Sequence, residues 1–140
     1  MEFLVVTAGI VRKDKKILLA QRKPNSHLGF QWEFPGGKME KGESPEACLK
    51  RELQEELNIE VEVTDIFSVV SHRYSDKQIL LLAYLCIYQQ GETIAKDCAD
   101  FRWITIEELS SFSLAEADVP IAEKITKLGE RLFLMDSLLF

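Results

Sequence analysis

The residues most able to do chemistry are Glu43, Arg51, Glu52, Glu55 and Glu56, which follow the glycine pair Gly36-Gly37. Ser44 suits an N-cap and Pro45 the first position of a helix. At about 100° per residue, Leu49, Leu53 and Leu57 form one apolar stripe. Glu56 falls at the edge of that stripe, with Glu52 and Glu55 further round the same side. The glutamates therefore border core and solvent, where a cleft would lie. Carboxylates crowded on one helix side repel one another. A hard divalent cation, Mg²⁺ or Mn²⁺, would offset that repulsion while also binding phosphate oxygens. The bland alternative is a solvated acidic helix face.

The stretch Gly37 to Ile59 resembles the Nudix box, Gly-x5-Glu-x7-Arg-Glu-U-x-Glu-Glu-x-Gly-U, where U is apolar. Asn58 replaces the final glycine. Asparagine is the next-best residue to glycine for a left-handed helix end, and the exchange removes no charge. The resemblance extends through Thr7-Ala8-Gly9-Ile10-Val11, Leu18-Leu19-Ala20-Gln21-Arg22, Trp32-Glu33-Phe34-Pro35-Gly36-Gly37-Lys38 and Leu114-Ala115-Glu116-Ala117-Asp118-Val119-Pro120. These segments look like the MutT-like nucleoside triphosphate pyrophosphohydrolases, especially the branch with CTP and 5-methyl-dCTP pyrophosphohydrolases.

That resemblance implies hydrolysis of a nucleoside triphosphate to the monophosphate and pyrophosphate. It implies metal ligation by Glu52, Glu55, Glu56 and the Gly36 carbonyl, with Glu52 also a candidate general base. Arg51 would hold the glutamates in place. Asp97, six residues before Trp103, matches a position where relatives often carry a glutamate for metal or base; aspartate is shorter. Substrate contacts are implied for Arg22, Phe34, Gly37, Lys38 and Asp118. Arg22 is otherwise a surface charge after a strand, and Phe34 and Trp32 could equally pack in the core or stack a base. Asp118 could instead be a plain N-cap of the helix near Pro120. As a base reader, its carboxylate would accept from the exocyclic amine of cytosine, adenine or guanine; protonated, it would donate to an 8-oxo-purine. His27 reads as a solvated loop residue, and His72 and Tyr74 have no assigned role.

Two other readings stay open within the resemblance. One is hydrolysis of a nucleoside-diphosphate sugar of the ADP-ribose type. Such relatives usually carry a proline after the box, and this chain has none between Pro45 and Pro120. The other is a non-catalytic Nudix-fold nucleotide-binding domain, which would be expected to lose box glutamates.

The elements that must position these residues follow from pattern. Phe3–Val11 and Ile17–Ala20 read as strands around a turn at Lys13–Lys15, and Gln31–Phe34 as a short extended piece. The helix is expected over Pro45–Leu57, strands over Glu60–Tyr74, Gln78–Tyr88 and Phe101–Ile104, a helical turn over Ile106–Ser111 and a helix over Pro120–Met135. The apolar tail Leu132–Phe140 either packs on the domain or contacts another chain. The alternation predicts a mixed α/β fold with a mostly antiparallel sheet; the resemblance sharpens this to an α/β/α sandwich. With 140 residues, no repeats and no linker, the expectation is one domain.

Composition excludes some functions. A net charge of −6 opposes broad nucleic-acid binding but leaves a metal-screened nucleotide substrate open. The cysteines Cys48, Cys86 and Cys98 form no Cys-x-x-Cys pair, which fits a reducing cytoplasm and gives no zinc signature. Met1-Glu2-Phe3 lacks a basic signal region, and the longest apolar run, 79–87, is too short to span a bilayer. The expected state is a cytoplasmic monomer or homodimer.

Overall fold

A computed structural model describes the backbone of residues 1–26 and 28–139, and the side chains of 1–26 and 28–135. His27 and the end of the apolar tail lie outside the described residues. The strands are β1 (Glu2–Lys13), β2 (Lys16–Gln21), β3 (Trp32–Glu33), β4 (Gly36–Lys38), β5 (Glu60–Arg73), β6 (Lys77–Gln90) and β7 (Asp100–Ile104). The helices are α1 (Pro45–Leu57) and α2 (Val119–Leu128). The strands form one sheet in the order β3-β2-β1-β6-β5, with β4 on β1 and β7 on β2. β1 and β6 run parallel from Glu2↔Lys77 to Arg12↔Ile87, whereas β1–β2, β1–β4, β2–β3, β2–β7 and β5–β6 are antiparallel.

Alternation along the central strands gives each face its own core. Val11 and Leu18 point to one face, where they meet Leu49, Leu53 and Leu57 of α1. Ile10, Ile17 and Leu19 point to the other, against Ile121 and Ile125 of α2. The result is the expected sandwich of a mixed sheet between helices. No helix among the described residues is long and apolar enough to cross a membrane.

α1 begins and ends where local chemistry dictates. Ser44 Oγ accepts the Ala47 N–H at 3.1 Å, and Pro45 fills the first turn. Asn58 ends the helix in the left-handed region at φ 62°, its N–H donating to the Gln54 carbonyl.

Two expectations need correction. The last helix stops at Leu128 rather than Met135, because Gly129 adopts φ 57° and turns the chain into a three-ten segment, Gly129–Leu139. Residues 36–38, beyond the extended piece expected to end at Phe34, form β4: Gly36, with no Cβ to meet the Thr7 carbonyl, lets the backbone pair with Val6–Ala8. The start of the tail packs on the domain. Leu132 is fully buried, Phe133 and Met135 lie against the α2-side core, and buried Arg12 donates to the Leu132 carbonyl at 3.1 Å.

Candidate active site

β4 and α1 place the glycine pair directly against the acidic helix face. A Cβ added at Gly37 would lie 2.3 Å from Glu52 Cδ, so any side chain there would push the carboxylate out of its present place. Arg51 organises the acids around it. Its Nε donates to Glu43 Oε2 at 2.7 Å, and Nη2 donates to Glu43 Oε1 at 3.0 Å. Nη1 donates to Glu52 Oε1 at 2.8 Å and to Glu55 Oε2 at 3.2 Å. The guanidinium pulls the Glu43 carboxyl down to about 2. This bidentate fork suits arginine and not lysine.

Beside this edge opens a cleft of about 580 Å³. It is lined by Gly36, Gly37, Lys38, Glu52 and Glu56 from β4 and α1, by Arg22, Glu33 and Phe34, and by Tyr74, Lys77, Ala117 and Asp118. Burial, then repulsion from Glu33, Glu52 and Asp97, pushes the Glu56 carboxyl up to about 9. Burial also raises Glu52, against the lowering effect of Arg51. Glu33 is raised by burial and partly compensated by Arg22, which donates to it at 2.9 Å. The cleft thus holds more half-buried acid than its arginines neutralise. That surplus fits a divalent cation. Among the described residues, no three Asp, Glu, His or Cys side chains converge as a closed ion site. An ion here would take one or two of these carboxylates and complete its shell with backbone, phosphate and water oxygens, as Mg²⁺ commonly does.

In the same cleft, Asp118 is 5% exposed, and its Oδ2 accepts the Phe34 N–H at 2.8 Å. Burial, then the nearby Glu33, raises its carboxyl to about 8. Its side chain makes no cap bond to α2, so the capping alternative fails: the carboxyl turns into the cleft instead.

Residues 3–128 match the NUDIX domain. The chain belongs to the Nudix hydrolase family. It is 38% identical over 123 residues to a CTP pyrophosphohydrolase of Escherichia coli, covering 88% of this chain and 91% of the relative. It is 31% identical over 129 residues to an 8-oxo-dGTP diphosphatase of the same organism, covering 91% of this chain and all of the relative. A MutT NUDIX hydrolase structure from Burkholderia pseudomallei superposes with a TM-score of 0.81 at 26% identity, over 90% of this chain and 100% of that one.

Not every residue singled out from the Nudix resemblance reaches the cleft. Glu52, Glu56, Gly36, Gly37, Lys38, Arg22, Phe34 and Asp118 line it; Glu55 and Asp97 do not. Glu55 lies on the exposed side of α1 against Arg51. Asp97 is ion-paired with Lys23 in a solvated setting, though its N–H donates to the Glu56 carbonyl at 3.1 Å. Phe34 is 2% exposed and serves core and cleft together. Trp32 packs edge-on to Phe112, 5.1 Å between centroids, outside the cleft wall. Glu33, Tyr74 and Lys77 are cleft residues with no assigned role in the sequence reading. The available signal for Glu33 is a lone acid between two aromatics in a short strand.

Proposed function

We propose that this chain, acting as one cytoplasmic domain, uses Mg²⁺ to hydrolyse a nucleoside triphosphate to the monophosphate and pyrophosphate, clearing unwanted nucleotides from the pool. One observation carries this reading: the half-buried acids Glu52 and Glu56 share a single cleft with the buried acid Asp118, so one nucleotide would meet all three. The names of the relatives, an 8-oxo-dGTP diphosphatase and a CTP pyrophosphohydrolase, support a triphosphate over a nucleotide sugar.

Glu52, Glu56 and the Gly36 carbonyl would hold the ion, with Glu55 joining by turning away from Arg51. When bound, Mg²⁺ or Mn²⁺ polarises phosphoryl oxygens and acidifies coordinated water. The chain does the rest. Lys38 at the rim and Arg22 neutralise phosphate charge. Glu52, raised by burial toward the working pH, suits the role of accepting a proton from attacking water. Arg51 keeps Glu52 oriented and Glu43 ionised. Asp118 meets the base. Near neutral pH its carboxyl is largely protonated, giving a donor for a base carbonyl or ring nitrogen; ionised, it accepts from an exocyclic amine. Only the ionised form disfavours uracil and thymine, which lack that amine; the protonated form can donate to their carbonyls.

The test is pyrophosphate release with Mg²⁺ across the common (d)NTPs, 8-oxo-dGTP, 5-methyl-dCTP and ADP-ribose. The expected result is turnover of at least one amine-bearing triphosphate, lost in Glu52→Gln and Glu56→Gln. Hydrolysis of ADP-ribose alone, or wild-type turnover in both variants, overturns the proposal.

A further inference from the structure

The turn that carries Asp118 is tied to the end of β5. Residues 116–118 form a three-ten turn in which the Asp118 N–H donates to the Ala115 carbonyl at 2.9 Å. Its own N-cap residue, Ala115, offers no side-chain cap. From β5 and the residue after it come two further contacts. The buried Ala117 N–H donates to Tyr74 Oη at 3.3 Å, and His72 Nε2 lies 3.1 Å from Glu116 Oε2. The His72 and Tyr74 rings pack edge to face, 4.6 Å between centroids. The Phe34 N–H in turn holds Asp118 Oδ2.

The geometry points to His72 and Tyr74 as positioning residues for base recognition: they clamp the Glu116–Asp118 turn to the sheet and so fix where the Asp118 carboxyl meets the nucleobase. This rests on Asp118 being the base-contacting acid. Two features favour a positioning role over plain surface decoration. First, Tyr74 lines the cleft while its oxygen accepts a backbone N–H one residue from Asp118. Losing that acceptor leaves the Ala117 N–H without its side-chain partner, which frees the turn to shift. Second, His72 reaches the turn from the same strand end and braces the Tyr74 ring. The His72–Glu116 contact is solvated, Glu116 being 72% exposed, so its direct effect on stability is small. Its effect falls on where the turn rests.

His72 and Tyr74 contact the Glu116–Asp118 turn, so their loss should act on nucleotide binding and base choice rather than on the chemistry at Glu52 and Glu56. The experiment compares wild type with Tyr74→Phe, His72→Leu, His72→Gln and Asp118→Ala on two triphosphates that differ only in base. Tyr74→Phe should raise KM for the preferred nucleotide about 10-fold, equivalent to about 1.4 kcal/mol, and narrow the kcat/KM ratio between bases. kcat should stay within about 3-fold. His72→Leu should do the same more weakly, and His72→Gln, which keeps an N–H for Glu116, should restore the wild-type ratio. Wild-type KM and ratio in both Tyr74→Phe and His72→Leu overturn the clamp, as does a loss in kcat alone. If Asp118→Ala collapses the ratio while the clamp variants do not, the clamp alone is wrong. If Asp118→Ala leaves the ratio intact, the base-reading role of Asp118 falls first. Melting curves separate misfolding from misplacement, and should Tyr74→Phe fail to fold, the surface pair His72→Leu and Glu116→Leu decides the matter.

Discussion

The Glu52 carboxyl occupies the space that a side chain on Gly37 would need: an added Cβ would meet Glu52 Cδ at 2.3 Å. β4 and α1 are therefore fitted to each other at the point where phosphate is proposed to bind. Gly37→Ala must displace either the strand or the carboxylate. The carboxylate is the softer of the two, since the strand is paired to β1 through Thr7↔Gly37. Displacements near 1 Å cost on the order of 100-fold in rate when the group is catalytic. The expected outcome is a kcat loss of that size with the fold retained by circular dichroism. Near-normal kcat would mean that Glu52 is not a catalytic group.

Two raised acids give the metal-free protein an unusual pH response. Glu56 moves from 4.5 to about 9 and Asp118 from 3.8 to about 8. Each binds its proton more tightly when folded, so its contribution is complete at acid pH below the ordinary value. It is lost as pH climbs toward the folded value. Tm of the chelator-treated protein should fall between about pH 5 and pH 9. Glu43 acts in the opposite sense: lowered to about 2, it withdraws stability only as pH drops below 4.5, a separate window. Mg²⁺ should restore Tm most strongly at the alkaline end, where the acids it would bind are otherwise uncompensated. Glu56→Gln should flatten the alkaline decline. A metal-free Tm that rises from pH 5 to 9 would contradict the assigned direction.

What was legible in the sequence, and what was not, follows the reach of each interaction. The range Pro45–Leu57 for α1 is set by Ser44, Pro45 and the Leu49-Leu53-Leu57 stripe, all within one segment, and the structure has the same bounds. The sandwich was legible for the same reason: alternation in β1 and β2 sorts residues to two faces without knowledge of partners. β4 was not, because Gly-Gly-Lys has no strand propensity of its own and pairs only because β1 offers an edge. Nor was the break at Gly129, since Ile121, Ile125, Leu128 and Leu132 keep helical spacing straight through it. At the site, Glu52, Glu56 and Asp118 could be placed from motif positions. The Arg22–Glu33 and Lys23–Asp97 pairs link residues far apart in sequence, and spacing carries no information about such contacts.

Asn58 offers a measure of how freely the departure from the box is tolerated. At φ 62° asparagine carries a left-handed penalty that glycine lacks, but its Nδ2 donates to the Glu92 carbonyl at 3.1 Å. Glycine would relieve strain of roughly 0.5–1 kcal/mol while losing a hydrogen bond worth about 0.5–1.5 kcal/mol. The terms nearly cancel. Asn58→Gly should change unfolding free energy in urea by less than about 1 kcal/mol, with kcat unchanged. A larger loss would show that the loop around Glu92 depends on the amide.

Lys23 holds Asp97 by an ion pair, away from the cleft, although the Asp97 backbone is bonded to Glu56. The pair is solvated on both sides, so Lys23→Ala should shift unfolding free energy by no more than about 1 kcal/mol. Its effect on metal affinity discriminates between two roles for Asp97. If the aspartate joins the ion during turnover, it must first leave Lys23, and removing the lysine abolishes that competition. The Mg²⁺ concentration for half-maximal activity should then fall several-fold in Lys23→Ala and rise in Asp97→Asn. If Asp97 only ties the loop after β6 to the loop after β2, neither variant should move that concentration, and both should lower Tm slightly. The shorter reach of aspartate relative to glutamate favours the second outcome, whereas the backbone bond to Glu56 keeps Asp97 close enough for the first. A magnesium titration of the two variants beside wild type decides between them.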